Sequence, residues 1–177
     1  NSEVRLVDSV YHPVYRYTQG EALFQGFECS VDLHLHPDLH FENTLSFVKA
    51  GNLSTGIPLP FIPALLIHNE IIWELPEKLT GKHLSESYVR VNADNHLGQN
   101  RVDVFETPTP GYTLLNAGCG AIIRFKKQKF GVSVSASNIL NRSYFDHLSR
   151  LKEKGIYNKG RNISVSLRVP FGKAGKG

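Results

Sequence analysis

From Gly160 to Phe171 the chain alternates without a break. Ile163, Val165, Leu167, Val169 and Phe171 fall on one side of an extended backbone, and Asn162, Ser164, Ser166 and Arg168 fall on the other. A period of two marks a β-strand with one apolar and one wet face. The same alternation recurs over 15–35, 39–48, 64–75, 83–93, 111–125 and 129–138. In the first of these, Leu23, Phe27, Cys29, Val31 and Leu33 oppose Glu28, Asp32 and His34. Residues 1–10 read as the end of an incoming strand, broken at Tyr11-His12-Pro13. The expectation is an all-β chain of about seven full strands plus a possible partial one at the start.

The connections between these strands alternate in length. Short ones fall at Pro37-Asp38, 76–80 and 126–128; long ones fall at 49–63, 94–110 and 145–159. In an antiparallel up-and-down meander, alternate connections share an end, so tight turns gather at one end and long loops at the other. Outer-membrane barrels have this asymmetry. The predicted strands, about 10–13 residues long, exceed the usual ~5–6 and match the ~9–11 that cross a membrane at a tilt. Glu28, Asp32, Glu42, Glu70, Glu74, Arg90, Arg124 and Arg168 occupy the polar face and suit a wet lumen better than a sandwich core. Trp73, Phe125, Phe130 and Phe171 lie near strand ends, where an interfacial girdle sits.

Composition agrees and removes other classes. The 177 residues contain no run of the roughly 18 apolar residues needed for a transmembrane helix, and mean hydropathy is -0.23. The net charge of +4 is dispersed. Its densest runs, Lys126-Lys127-Gln128-Lys129 and Arg150-Leu151-Lys152-Glu153-Lys154, read as solvated turns and loops, so no nucleic-acid surface is expected. Cys29 and Cys119 are distant and read as small hydrophobes on apolar strand faces. No signal peptide is visible and the chain has no methionine, as expected of a piece of a longer protein.

Four stretches, in order, resemble the carboxy-terminal part of TonB-dependent outer-membrane receptors: 19–28, beginning Gln19-Gly20-Glu21-Ala22; Pro60-Phe61-Ile62-Pro63; 106–116, beginning Glu106-Thr107-Pro108; and 134–144 with Gly160-Arg161 and the strand ending at Phe171. The resemblance implies that residues 1–171 are the C-terminal portion of a 22-stranded transmembrane β-barrel; the tail 172–177 carries no pattern and is expected to be flexible. It implies energy-coupled uptake of a scarce nutrient, most plainly an iron complex such as a siderophore or haem, cobalamin, or another metal chelate, in the outer membrane of a Gram-negative bacterium. The implied partners are outer-membrane lipid, TonB through an N-terminal plug outside this sequence, and the barrel assembly machinery, which would read Phe171 in the last strand. Two open edges and an uncovered apolar face make an isolated fragment prone to self-association. The alternative reading is a β-rich surface binding or adhesion module.

No catalytic apparatus is expected, so the chain reads as a non-enzyme without cofactor. G-x-S-x-G, H-E-x-x-H, P-loop and dinucleotide fingerprints are missing from the sequence. His34, His36 and His40 bracket the Pro37-Asp38 turn; the alternation puts His34 and His36 on one face, His40 can approach from the returning strand, and with Asp38 they have the donor types of a zinc or copper site. The reading taken is that of polar residues at a wet strand end, with no metal site assigned. Asn138 and Asn141 read as structural amides at a bend. Ligand contacts are expected from the long loops, which offer Asp94, Asn95, His96, Arg101, Asp103, Tyr144, Asp146, His147 and Tyr157.

Overall fold

A computed structural model describes residues 2–7, 10–15, 20–125 and 128–170, the first two stretches as backbone only. Strands β1 (Ser2–Val7) and β2 (Val10–Tyr15) form an antiparallel pair. Seven further strands form one sheet in strict sequence order: β3 (Ala22–His36), β4 (Leu39–Asn52), β5 (Leu66–Leu75), β6 (Leu84–His96), β7 (Tyr112–Phe125), β8 (Gln128–Ser137) and β9 (Asn162–Arg168). Every neighbouring pair is antiparallel. The predicted up-and-down meander is therefore the observed topology.

The register explains why the alternation matters. Across all seven strands Leu33, Phe41, Ile71, Val91, Ala117, Ala136 and Ile163 stand opposite one another in a single apolar row. One residue over, Asp32, Glu42, Glu70, Asn92 and Asn116 make a polar row on the other face. A slip of one residue in any ladder would exchange these faces, so the pattern pins the register. Ser164, Ser166 and Arg168 fall on the polar face, and Val165 and Leu167 on the apolar one.

Nothing among the described residues covers the apolar face. Among the described residues the buried apolar side chains are only Ala50, Ile62 and Tyr112, whereas Phe27, Ile71, Trp73 and Val165 remain 54, 49, 45 and 73% exposed. This sheet has no hydrophobic core of its own. A contiguous apolar face of this size marks a surface meant for lipid or protein. β3 and β9 are the sheet's open edges, and every residue of both is exposed.

Several sequence expectations need correction. Tyr11-His12-Pro13 does not break a strand but lies inside β2, with Pro13 opposite Val4; a two-stranded ladder leaves each strand a free side, where a proline costs no ladder bond. Residues 76–80 form not a simple turn but a one-turn helix, α1 (Glu77–Thr80), which Gly81 closes at φ 77°. The last strand stops at Arg168, short of Pro170, which has no N–H to donate. β6 continues past Ala93, so Asp94, Asn95 and His96 are strand residues paired with Leu114, Thr113 and Tyr112 rather than loop residues. Their polar character marks a wet strand end, not a loop. Finally, a bulge between His34 and His36 pairs His36 with Leu39. That extra residue turns His36 to the apolar face, so His34 and His36 do not share a face.

The hairpin at Pro37-Asp38 is present, and Phe125 pairs with Gln128 across the next predicted one, whose residues 126 and 127 lie outside the described residues. So do Phe171 and the tail 172–177. Gly120 has a clear purpose: a Cβ there would sit 2.7 Å from the Tyr88 ring, which lies over β7 on the polar face.

Candidate functional site

The three long connections, 53–65, 97–111 and 138–161, leave the same end of the sheet, as the alternation of lengths predicts. Long loops carry a large ordering cost, and a polar network offsets it here. Gln99 and Thr109, 2 and 5% exposed, exchange backbone hydrogen bonds of 3.0 and 3.1 Å and fold loop 97–111 back on itself. The Gln99 Nε2 then donates to the carbonyls of Ile62 at 3.1 Å and Pro63 at 3.0 Å, joining the second loop to the first.

Glu106 is the hub of this network. One carboxylate oxygen accepts from Lys152 Nζ at 3.2 Å, and both face the backbone N–H of Phe61, at 3.3 and 3.4 Å. Its carboxylate thus touches all three loops. Glu106, His147 and Lys152 side chains are 4, 3 and 3% exposed. Lys152 Nζ also donates to the Thr107 carbonyl at 3.3 Å and approaches His147 Nδ1 at 3.4 Å, while the Thr109 hydroxyl lies 2.9 Å from that same nitrogen. The Lys152 ammonium can only donate, so its approach favours an unprotonated Nδ1, to which the Thr109 hydroxyl can then also donate. Burial, and then the neighbouring Lys152 ammonium, hold the His147 pKa below its usual value, in keeping with a neutral ring. His147 Nε2 lies 3.1 Å from Glu106 Oε1.

Beside this tie is an aromatic stack. The His96 and Tyr112 rings lie 4.4 Å apart and 18° from parallel, and Tyr144 packs on Tyr112 at 4.4 Å. The Tyr112 hydroxyl donates to Asp146 at 3.0 Å. Burial and the Asp146 charge raise the Tyr144 pKa, so its phenol stays protonated. His96, Tyr112, Asp146, Ser46, Val48 and Leu66 line part of a cavity of about 140 Å³ under the loops. Small-molecule sites usually span about 300–1,000 Å³. This cavity is therefore smaller than a usual small-molecule site.

Below the loops the network continues down the polar face. Asn116 Nδ2 donates to Asp94 at 2.8 Å and Asn92 at 2.6 Å, Asn92 donates to Glu70 at 3.3 Å, and Asp94 pairs with His68. Asn116 also accepts from the Asn138 N–H at 2.9 Å, which anchors the third loop to the sheet. Asn138 and Asn141 have φ of 50 and 52°, and their amides bind the backbone of Arg142 and Arg161, the bend-forming role expected of them.

The nine residues that the sequence nominates for ligand contact are thus dispersed. Asp94 and His96 are on the polar face of β6, whereas Asn95 turns to the apolar face and bonds Thr113 and Ile67. Arg101 lies over the Phe47 ring at 4.8 Å, and Asp103 turns its own loop by accepting from Phe105 and Glu106. Tyr144 and Asp146 join the stack, and His147 is buried in the tie. Tyr157, 56% exposed, stacks on Phe145. Gln99, Glu106, Thr109, Asn116 and Lys152 are not among the nine. Lys152 lies in a basic run whose composition reads as solvated, and the structure corrects that reading by burying it. Spacing alone gives no sign that Glu106, 46 residues earlier, is its partner.

No protein-family model matches the sequence. Among solved structures, the chain is similar to one described as the copper transporter OprC: TM-score 0.71, 16% sequence identity, covering 95% of this chain and 26% of that one. The shared property is the fold, and the chain spans about a quarter of its neighbour's length.

Proposed function

We propose that the chain is part of the wall of a transmembrane β-barrel, in the C-terminal portion of a TonB-dependent receptor, and that the receptor takes up a metal chelate across an outer membrane. One observation carries this reading: a coreless sheet has an apolar row across all seven strands on one face and carboxylates and amides on the other, with three loops tied together at one end. Lipid would cover the first face and a wet lumen the second. Fold similarity to a chain described as a copper transporter supports a role in transport. Iron complexes and copper are the cargoes to try first. The wall would contribute binding and shape, with no bond-making chemistry. TonB would act through a plug outside this chain, and the C-terminal strand would engage the assembly machinery.

The test is deletion of the loop tip 100–105 in the receptor, with growth measured on iron complexes, haem, cobalamin and copper. Reduced uptake of one cargo by an assembled barrel supports the reading. Unchanged uptake of all of them, with the barrel assembled, would place recognition elsewhere and leave this region as wall.

A further inference from the structure

At the short-turn end, on the polar face, three metal-ligating side chains meet. Asp32 and His34 are two apart on β3 and so share a face, and His40 on β4 stands directly opposite His34. One donor atom from each of Asp32, His34 and His40 lies within 4.8 Å of the others. The His34 and His40 rings are 4.4 Å apart at 71°, and His34 Nδ1 is 3.7 Å from Asp32 Oδ1. A fourth group is close, because Glu74 Oε1 lies 3.8 Å from His40 Nε2. That nitrogen is buried and makes no hydrogen bond, which in a native structure calls for an explanation such as an ion.

We propose that Asp32, His34 and His40 bind a divalent cation of the zinc or cupric class. Bonds of about 2.0–2.1 Å to nitrogen and oxygen put the donors of a tetrahedral ion roughly 3.4 Å apart. Closing 4.8 Å to that distance asks for a small shift, and the exposure of the Asp32 and His34 side chains, 51 and 63%, leaves room for it. Two imidazoles and a carboxylate suit zinc or Cu(II), whereas Cu(I) prefers sulfur. The sequence has no methionine, and both cysteines pair within the apolar rows, on the other face. His36 and Asp38 are set apart, since the bulge turns His36 to the apolar face.

Zinc titration of the purified protein in detergent micelles, in competition with a chromophoric chelator, tests this site. The expected result is one zinc equivalent, weakened at least tenfold by His34→Ala or His40→Ala and retained by His36→Ala. Should His40→Ala fail to assemble, the exposed His34→Ala decides. A wild type that takes up no zinc, or a His34→Ala variant that binds it undiminished, would overturn the proposal. Loss in His36→Ala to the same degree as in His34→Ala would also overturn it.

Discussion

The two ends of this sheet solve opposite problems. At the short-turn end a two-residue hairpin and one helical turn reverse the chain, and the side chains of Asp32, His34 and His36 are exposed. At the long-loop end, connections of many residues are held by buried polar groups, with Gln99, Thr109, Asn138, His147 and Lys152 all nearly inaccessible to solvent. A tight turn fixes its geometry locally and needs few partners. A long loop must recover its ordering entropy from contacts, and here those contacts are largely polar because few apolar side chains among the described residues are buried. Polar side chains are therefore left exposed at the end with tight turns and are largely buried in structure at the end with long loops.

The largest effect that would break this contrast comes from Lys152→Ala. It leaves the Glu106 carboxylate, 4% exposed, without its cation. Removing one partner of a buried pair costs about 3–5 kcal/mol. Amide hydrogen exchange should accelerate in 97–111 and 138–161 and remain unchanged around Pro37-Asp38. The double variant Glu106→Leu with Lys152→Met should recover most of the protection, because it leaves no buried charge unpaired.

Gly120→Ala attacks the wall rather than the loops. Its Cβ would press on the Tyr88 ring at 2.7 Å, and overpacking of this kind costs about 1–3 kcal/mol. A lower midpoint of thermal unfolding is expected, with recovery when Tyr88→Ala is added.

Acidification gives a smaller and more selective effect. The folded His147 pKa lies below its unfolded value of about 6.5, chiefly through burial and secondly through Lys152. The unfolded state then binds the proton more readily, so the stability of the tie is complete above that unfolded value and declines as pH falls from there toward the folded pKa. Exchange in 138–161 should rise over that range, and His147→Gln should flatten the dependence. Smallest is Ser30→Ala, which removes an exposed 3.1 Å contact with Thr44 and should change stability by less than about 0.5 kcal/mol.

The wall was legible in the sequence because a strand writes its faces into every second residue. Ile163, Val165 and Leu167 belong to the rows that the alternation predicts. Loop lengths likewise reported which connections share an end. The tie was not legible: Glu106, Thr109, His147 and Lys152 meet through loop conformations that carry no period, and Lys152 sits among charges that ordinarily face water. The strand state of Asp94 to His96 is not legible because polar residues at a wet strand end resemble loop residues. His36 was misplaced because a bulge shifts the alternation by one residue and leaves no mark in composition.

The central claim is that the apolar face meets lipid and the polar face meets water. Nitroxide labels placed singly at Val165→Cys and Ser166→Cys, in a background with Cys29 and Cys119 replaced by alanine, test it most directly. In a reconstituted bilayer, position 165 should be accessible to oxygen and shielded from a water-soluble nickel relaxant, and position 166 should show the reverse. Lipid exposure at 166, or equal access at both positions, would contradict the account.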